Sequence, residues 1–220
     1  MDILIFGLVN SMTYVLMAAG FTLVYGVSRL PNFAHGALYV LTGFLVWTFV
    51  NSAGVNYFVS IVITIVIVAV LGALLYRFVL MRVRGMPVSE IIVSFAVALI
   101  VLEGLRLQNL GPFKGFIGSS YTLPAFISGT VSIAGVVIDI QRLLIVGIGL
   151  AIVLFMWVFT RRQKIGLAFR GMAQDEHAAM MLGIDSDFMA VLALAVGSSL
   201  AAVAAVAVYP LGQVTVETGY

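Results

Sequence analysis

The sequence predicts an all-α integral membrane protein, a polytopic bundle of about six membrane-spanning helices. Three observations carry that prediction. First, the 220 residues are 63% hydrophobic and only 9% charged, against about 25% charged in soluble domains. One soluble core of this size lacks the volume to hide so much apolar surface, whereas lipid needs no such core. Second, six stretches are long and apolar enough to cross a bilayer. Third, the basic residues gather in two of the connections between those stretches.

A spanning helix needs about 20 mostly apolar residues at about 1.5 Å rise each. The stretches that meet this are 3–27, 33–50, 57–80, 88–107, 143–160 and 188–211. The first lacks a basic leader and is too long for a signal-peptide core, so it reads as a retained helix. The third is interrupted only by Arg77. Residues 61–75 are apolar on every side, which excludes the in–out alternation of a membrane barrel and marks a helix in lipid. The fourth contains Glu90, Glu103 and Arg106. Glu103 and Arg106, three residues apart near the outer end, are expected to pair at the interface. Glu90 suits the first turn, where the helix dipole favours an acid.

Seven of the eleven Lys and Arg residues lie in two places: Arg77, Arg82 and Arg84, then Arg161, Arg162, Lys164 and Arg170. Basic loops stay in the cytoplasm, and an even number of spans separates the two. The N-terminus is therefore expected outside, with the 51–56 turn and the 108–141 loop that carries Phe113, Phe116 and Tyr121. Within that loop, residues 131–140 suit either a short strand or a shallow helix.

Several functions are disfavoured by composition. A net charge of +2 is too small to suggest nucleic acid, and the absence of cysteine removes disulfides and thiolate metal sites. Two histidines alone do not make a zinc site. No phosphate-binding GxxxxGK[ST] loop, HExxH, GxSxG or TVGYG filter is present. No cofactor is expected, and the chain does not read as an enzyme.

Two connections carry more information than the spans. In residues 28–36, polar groups and Pro31 interrupt apolar sequence. Proline cannot donate to a helix and biases Leu30 away from it, while Asn32 is a candidate cap for the second span. Either this is a broken helix whose N-terminus and His35 line a solute path, or it is an ordinary turn with His35 among the headgroups. Residues 161–187 read as a helical elbow in two pieces, 165–173 and 175–182. Asp175 is placed to cap the second piece, Gly183 to end it, and Asp185 or Asp187 to cap the last span. Ala178 and Ala179 on one side would suit docking into a partner's groove; the alternative is a solvated loop.

At these two connections the chain resembles a known family. The run YGVSRLPNFAHGALYVLTG (25–43), with its Asn-Phe-Ala-His-Gly core, is similar to the early segment of branched-chain amino acid ABC transporter permeases. GLAFRGMAQDEHAAMMLGIDSD (166–187) resembles their cytoplasmic coupling segment, including the Ala-Ala-x-x-x-Gly pattern of ABC importer permeases. The resemblance runs along essentially the whole chain and implies one transmembrane permease domain over 1–220, with its coupling segment at 161–187. It implies a substrate pathway at Asn32, Phe33, Ala34, His35 and Gly36. It implies an ATPase contact at Arg170, Gln174, Asp175, Glu176, Ala178, Ala179 and Gly183.

The implied partners are a second homologous permease subunit, two cytoplasmic ATP-binding subunits, an extracytoplasmic solute-binding protein and the lipid of the inner membrane. The implied cargo is a branched-chain amino acid; urea or a short amide is the alternative within the class, and a stand-alone channel or carrier lies outside it. Family members usually continue with further spans, so a piece of a longer permease is expected. Glu103 lies where many relatives have an amide, so its role is not inherited.

Overall fold

Apolar runs with few breaks, ended by caps or glycine, produce eight α-helices among the described residues. The computed structural model describes residues 2–29, 31–107, 120–121, 123–124, 126–127, 129–133, 136–212 and 214–215. The helices are α1 (Asp2–Ser28), α2 (Ala34–Asn51), α3 (Tyr57–Phe78), α4 (Pro87–Leu107), α5 (Ile140–Arg162), α6 (Lys164–Gln174), α7 (Glu176–Met181) and α8 (Ser186–Val208). Six of them, α1–α5 and α8, are long and apolar enough to cross a membrane. A 3-10 turn extends α3 over Leu80–Arg82 and another extends α8 over Tyr209–Leu211. Asn56 caps α3 by accepting the Phe58 N–H at 3.0 Å.

The undecided 131–140 stretch resolves into a hairpin. Strand β2 (Thr130–Ile133) pairs antiparallel with β3 (Val136–Asp139), Thr130 opposite Asp139, and Ile140 then begins α5. Strand β1 (Ser120–Tyr121) pairs with β4 (Val214–Thr215) at the same end of the bundle. Phe113 and Phe116 of the long loop lie outside the described residues.

Helix α8 is the hub. It packs against α1, α2 and α3, and 61% of its apolar window is buried against 11% for α5 at the periphery. The reason is side-chain size. Ala190, Ala193, Ala201, Ala202, Ala204, Ala205 and Ala207 are all buried, and small residues let helix backbones approach where lipid offers no hydrophobic drive between them. The closest approaches use glycine. A Cβ on Gly20 of α1 would stand 2.5 Å from the Gly197 carbonyl oxygen of α8, and one on Gly72 of α3 would stand 2.1 Å from Ser198 Oγ.

Polar ties close the end of the bundle away from α6 and α7. The Tyr209 hydroxyl donates to the Tyr39 carbonyl at 2.9 Å, and Gln141 Nε2 donates to the Ala207 carbonyl at 3.0 Å. The expected Glu103–Arg106 pair forms at 3.0 Å with both side chains substantially exposed. Glu90 sits in the first turn of α4 as anticipated, but it is only 5% exposed and its Oε1 accepts the Gly85 N–H at 2.6 Å.

Candidate functional site

The break between α1 and α2 is built by local chain chemistry. Helix α1 ends at Ser28, and Arg29 follows at φ 54° with its N–H donating to the Tyr25 carbonyl at 2.9 Å. That is a left-handed helix stop, usually given to glycine, which costs another residue about 1 kcal/mol. Pro31 then keeps the chain out of helix. Asn32 Oδ1 accepts the Ala34 N–H at 3.1 Å and starts α2. The capping group thus comes from the residue before Phe33, which is itself in helical conformation.

The five residues of the Asn-Phe-Ala-His-Gly run do not share one surface. Asn32 and Ala34 are buried, at 2% and 1% exposure, whereas Phe33 is 48% exposed. His35 leans onto α1: its Nε2 stands 3.3 Å from the Met17 carbonyl oxygen, and its ring meets Phe21 edge-on at 6.1 Å. The imidazole Cε1 comes within 2.8 Å of where a Gly20 Cβ would be, so His35 sits beside the α1–α8 crossing. Gly36 is half-buried. Phe33 is held to α4, its N–H donating to Ser94 Oγ at 3.3 Å, while the Ser94 hydroxyl reaches the Pro31 carbonyl at 3.3 Å.

The elbow forms the two helices expected of it. Helix α6 is amphipathic, burying Phe169 and Met172 under Val27 and Met189. Asp175 caps α7 by accepting the Ala178 N–H at 3.1 Å. Gly183 ends it at φ 85°, a left-handed conformation that favours glycine. Asp185 caps α8, accepting the Phe188 N–H at 3.0 Å; Asp187 does something else, described below. Arg170, Gln174, Asp175, Ala178 and Gly183 are exposed and Glu176 is half-buried. Ala179 differs from the docking expectation: it is 3% exposed and packs inward with Phe169 and Met172. The outward apolar tip is instead Met181 and Leu182, 90% and 84% exposed. Sequence reading missed these two. Their signal was present, since two apolar residues stand before the helix-stopping Gly183.

Arg84 was also missed as a site residue. From the turn between α3 and α4 it donates to Glu176 of α7 and to Ser186 and Asp187 of α8, while Ser186 Oγ donates to Glu176 at 2.5 Å. Burial works against the charged guanidinium, yet Tyr76, Glu176 and Asp187 outweigh it and raise the Arg84 pKa above its ordinary value. Arg84, Glu176, Ile184 and Asp185 line a cleft of about 410 Å³ on this face. A second groove of about 410 Å³, between α1 and α5, is lined by Ala18, Ala19, Thr22, Val153 and Met156. Among the described residues no group of three or more His, Cys, Asp or Glu could hold a metal.

Six apolar spans joined at one end by a capped polar elbow make a multi-pass membrane protein. Residues 3–219 match the family described as "Branched-chain amino acid transport system / permease component", and the chain belongs to it. Among similar proteins is the high-affinity branched-chain amino acid transport system permease protein BraD of Pseudomonas aeruginosa, 27% identical over 92% of this chain and 68% of its own. LivH of Escherichia coli K12, which carries the same description, is 28% identical over 94% and 68%. A probable LivH of Methanocaldococcus jannaschii is 23% identical over 81% and 56%. No solved structure matches the chain.

Proposed function

We propose that this chain is the permease subunit of an ATP-driven importer that carries branched-chain amino acids across the inner membrane. The α1–α2 break lies in the solute path, and the elbow of residues 161–187 is the contact for cytoplasmic ATPase subunits. A second permease subunit completes the path, and an extracytoplasmic binding protein delivers the solute. The N-terminus lies outside. The observation that carries the reading is the elbow itself: a short helix capped by Asp175, stopped by Gly183, and tipped by the exposed Met181 and Leu182. Exposed apolar side chains on a rigid polar helix fit a partner's groove. The family to which the chain belongs, and the relatives named above, support the solute class.

The test is reconstitution of the full chain in liposomes with the second permease subunit, the ATP-binding subunits and the solute-binding protein proposed above, following labelled leucine and labelled urea. ATP-dependent leucine uptake is expected. ATP-dependent urea uptake without leucine uptake would reassign the solute, and leucine uptake that needs neither ATP nor partners would replace the importer with a channel or carrier.

A further inference from the structure

The elbow is tied to the α1–α2 break by two separate polar routes that close into a ring. On the first route, Arg29, the residue that ends α1, points its guanidinium at the last carbonyls of α6. Its Nη2 lies 3.3 Å from the Gln174 oxygen and 3.5 Å from the Ala173 oxygen. A cation there also meets the negative end of the helix dipole. The second route starts at the other side of the elbow. Arg84 holds Glu176, Ser186 and Asp187, so α7, the first turn of α8 and the α3–α4 turn are joined by one side chain. The next residue, Gly85, donates its N–H to Glu90 of α4 at 2.6 Å. One turn further along α4, on the same buried face, Ser94 Oγ accepts the Phe33 N–H at 3.3 Å and shares its own proton between the Ile91 carbonyl of α4 at 3.0 Å and the Pro31 carbonyl at 3.3 Å.

We infer that Arg29, Arg84, Glu90 and Ser94 are positioning residues that make the elbow, the start of α4 and the Asn32–Gly36 segment move as one body. This rests on the importer reading for its purpose but not for its existence. Displacing the elbow while the break stays in place must part Arg29 from the α6 carbonyls and either Arg84 from Glu176 and Asp187 or Ser94 from Phe33. Glu90 and Ser94 are at 5% and 0% exposure, and an unsatisfied buried polar group is costly. The ring therefore carries a push at Met181 and Leu182 to the break, some distance along the chain from it.

Hydrogen exchange on the whole purified chain in lipid nanodiscs tests the ring without any solute. R84Q is expected to speed exchange at the Phe33, Ala34 and His35 amides by about fivefold, the size of effect seen for residues along a coupled network. S94A, acting from the other end, is expected to speed exchange at Ala178 and Leu182. R84K keeps the charge but cannot fork to Glu176, Ser186 and Asp187 at once, so its exchange is expected to fall between the parent and R84Q. R84Q and S94A together should do no more to the Phe33 amide than S94A alone, because both lie on one route. Changes that stay on the mutated side in both R84Q and S94A would overturn the inference. If R84Q does not fold, S94A and E90Q decide the question from the α4 side.

In the reconstituted importer, R84Q and S94A should lower the leucine taken up per ATP hydrolysed while leaving subunit co-purification unchanged. A merely structural role would lower uptake and hydrolysis together and leave that ratio fixed. If the exchange effects occur but the parent takes up no leucine with ATP, the ring stands and the importer reading fails.

Discussion

Gly72 shows how little room separates α3 from α8. A methyl group there would meet Ser198 Oγ at 2.1 Å, Ser198 Cβ at 2.7 Å and the Leu194 carbonyl oxygen at 2.9 Å. Gly72→Ala should therefore destabilise the bundle by about 1–3 kcal/mol, the range for overpacking a tight core, read as a lower detergent concentration at half-unfolding. Removing the serine side chain in Gly72→Ala with Ser198→Gly should restore only part of the loss. The Leu194 contact is with backbone and cannot rotate away. Gly147→Ala is the control: nothing lies within 4 Å of its Cβ position, so little change is expected. At the far end of α8, Tyr209→Phe removes the buried bond to the Tyr39 carbonyl. It should cost about 1 kcal/mol in the same assay.

The spans were legible in the sequence because lipid imposes a length and a polarity that few other structures need. The expected 57–80 and 88–107 became Tyr57–Phe78 and Pro87–Leu107, and the differences fall at ends where caps and 3-10 turns decide. The elbow was legible for the same local reason: Asp175, Gly183 and Asp185 act on neighbours a few residues away. What could not be read was which way each side chain faces after folding. Ala178 and Ala179 are alike in sequence, but only tertiary packing sends Ala179 inward. The Arg84–Asp187 contact joins residues 103 positions apart, and no spacing rule reports it.

This division makes a prediction for α7 as an element. Met181→Asp or Leu182→Asp alters only the exposed tip, so the permease should purify as before while ATPase co-purification is lost. Ala179→Leu must enter a filled cluster and should weaken the fold itself, so its loss of ATPase binding would come with a lowered unfolding midpoint. Equal ATPase binding by Leu182→Asp and the parent would remove α7 from the contact.

On the scale of the whole molecule, the α1–α2 break, the α3–α4 turn and the elbow occupy one end of the bundle, since Arg29 and Arg84 both bond the elbow. The 51–56 turn, at the opposite ends of α2 and α3, lies at the other. The basic residues Arg82, Arg161, Arg162 and Lys164 fall at the elbow end, and the resistance of such charges to crossing the bilayer is what orients membrane proteins. Because the chain has no cysteine, a single introduced thiol reports its side without background. Met181→Cys and Ala53→Cys are both at exposed positions. An impermeant maleimide should label Ala53→Cys in spheroplasts and Met181→Cys only in inverted vesicles. The reverse pattern would place the elbow where no cytoplasmic ATPase can reach it. The six helices would then stand as described, but the energy source for transport would have to be sought elsewhere.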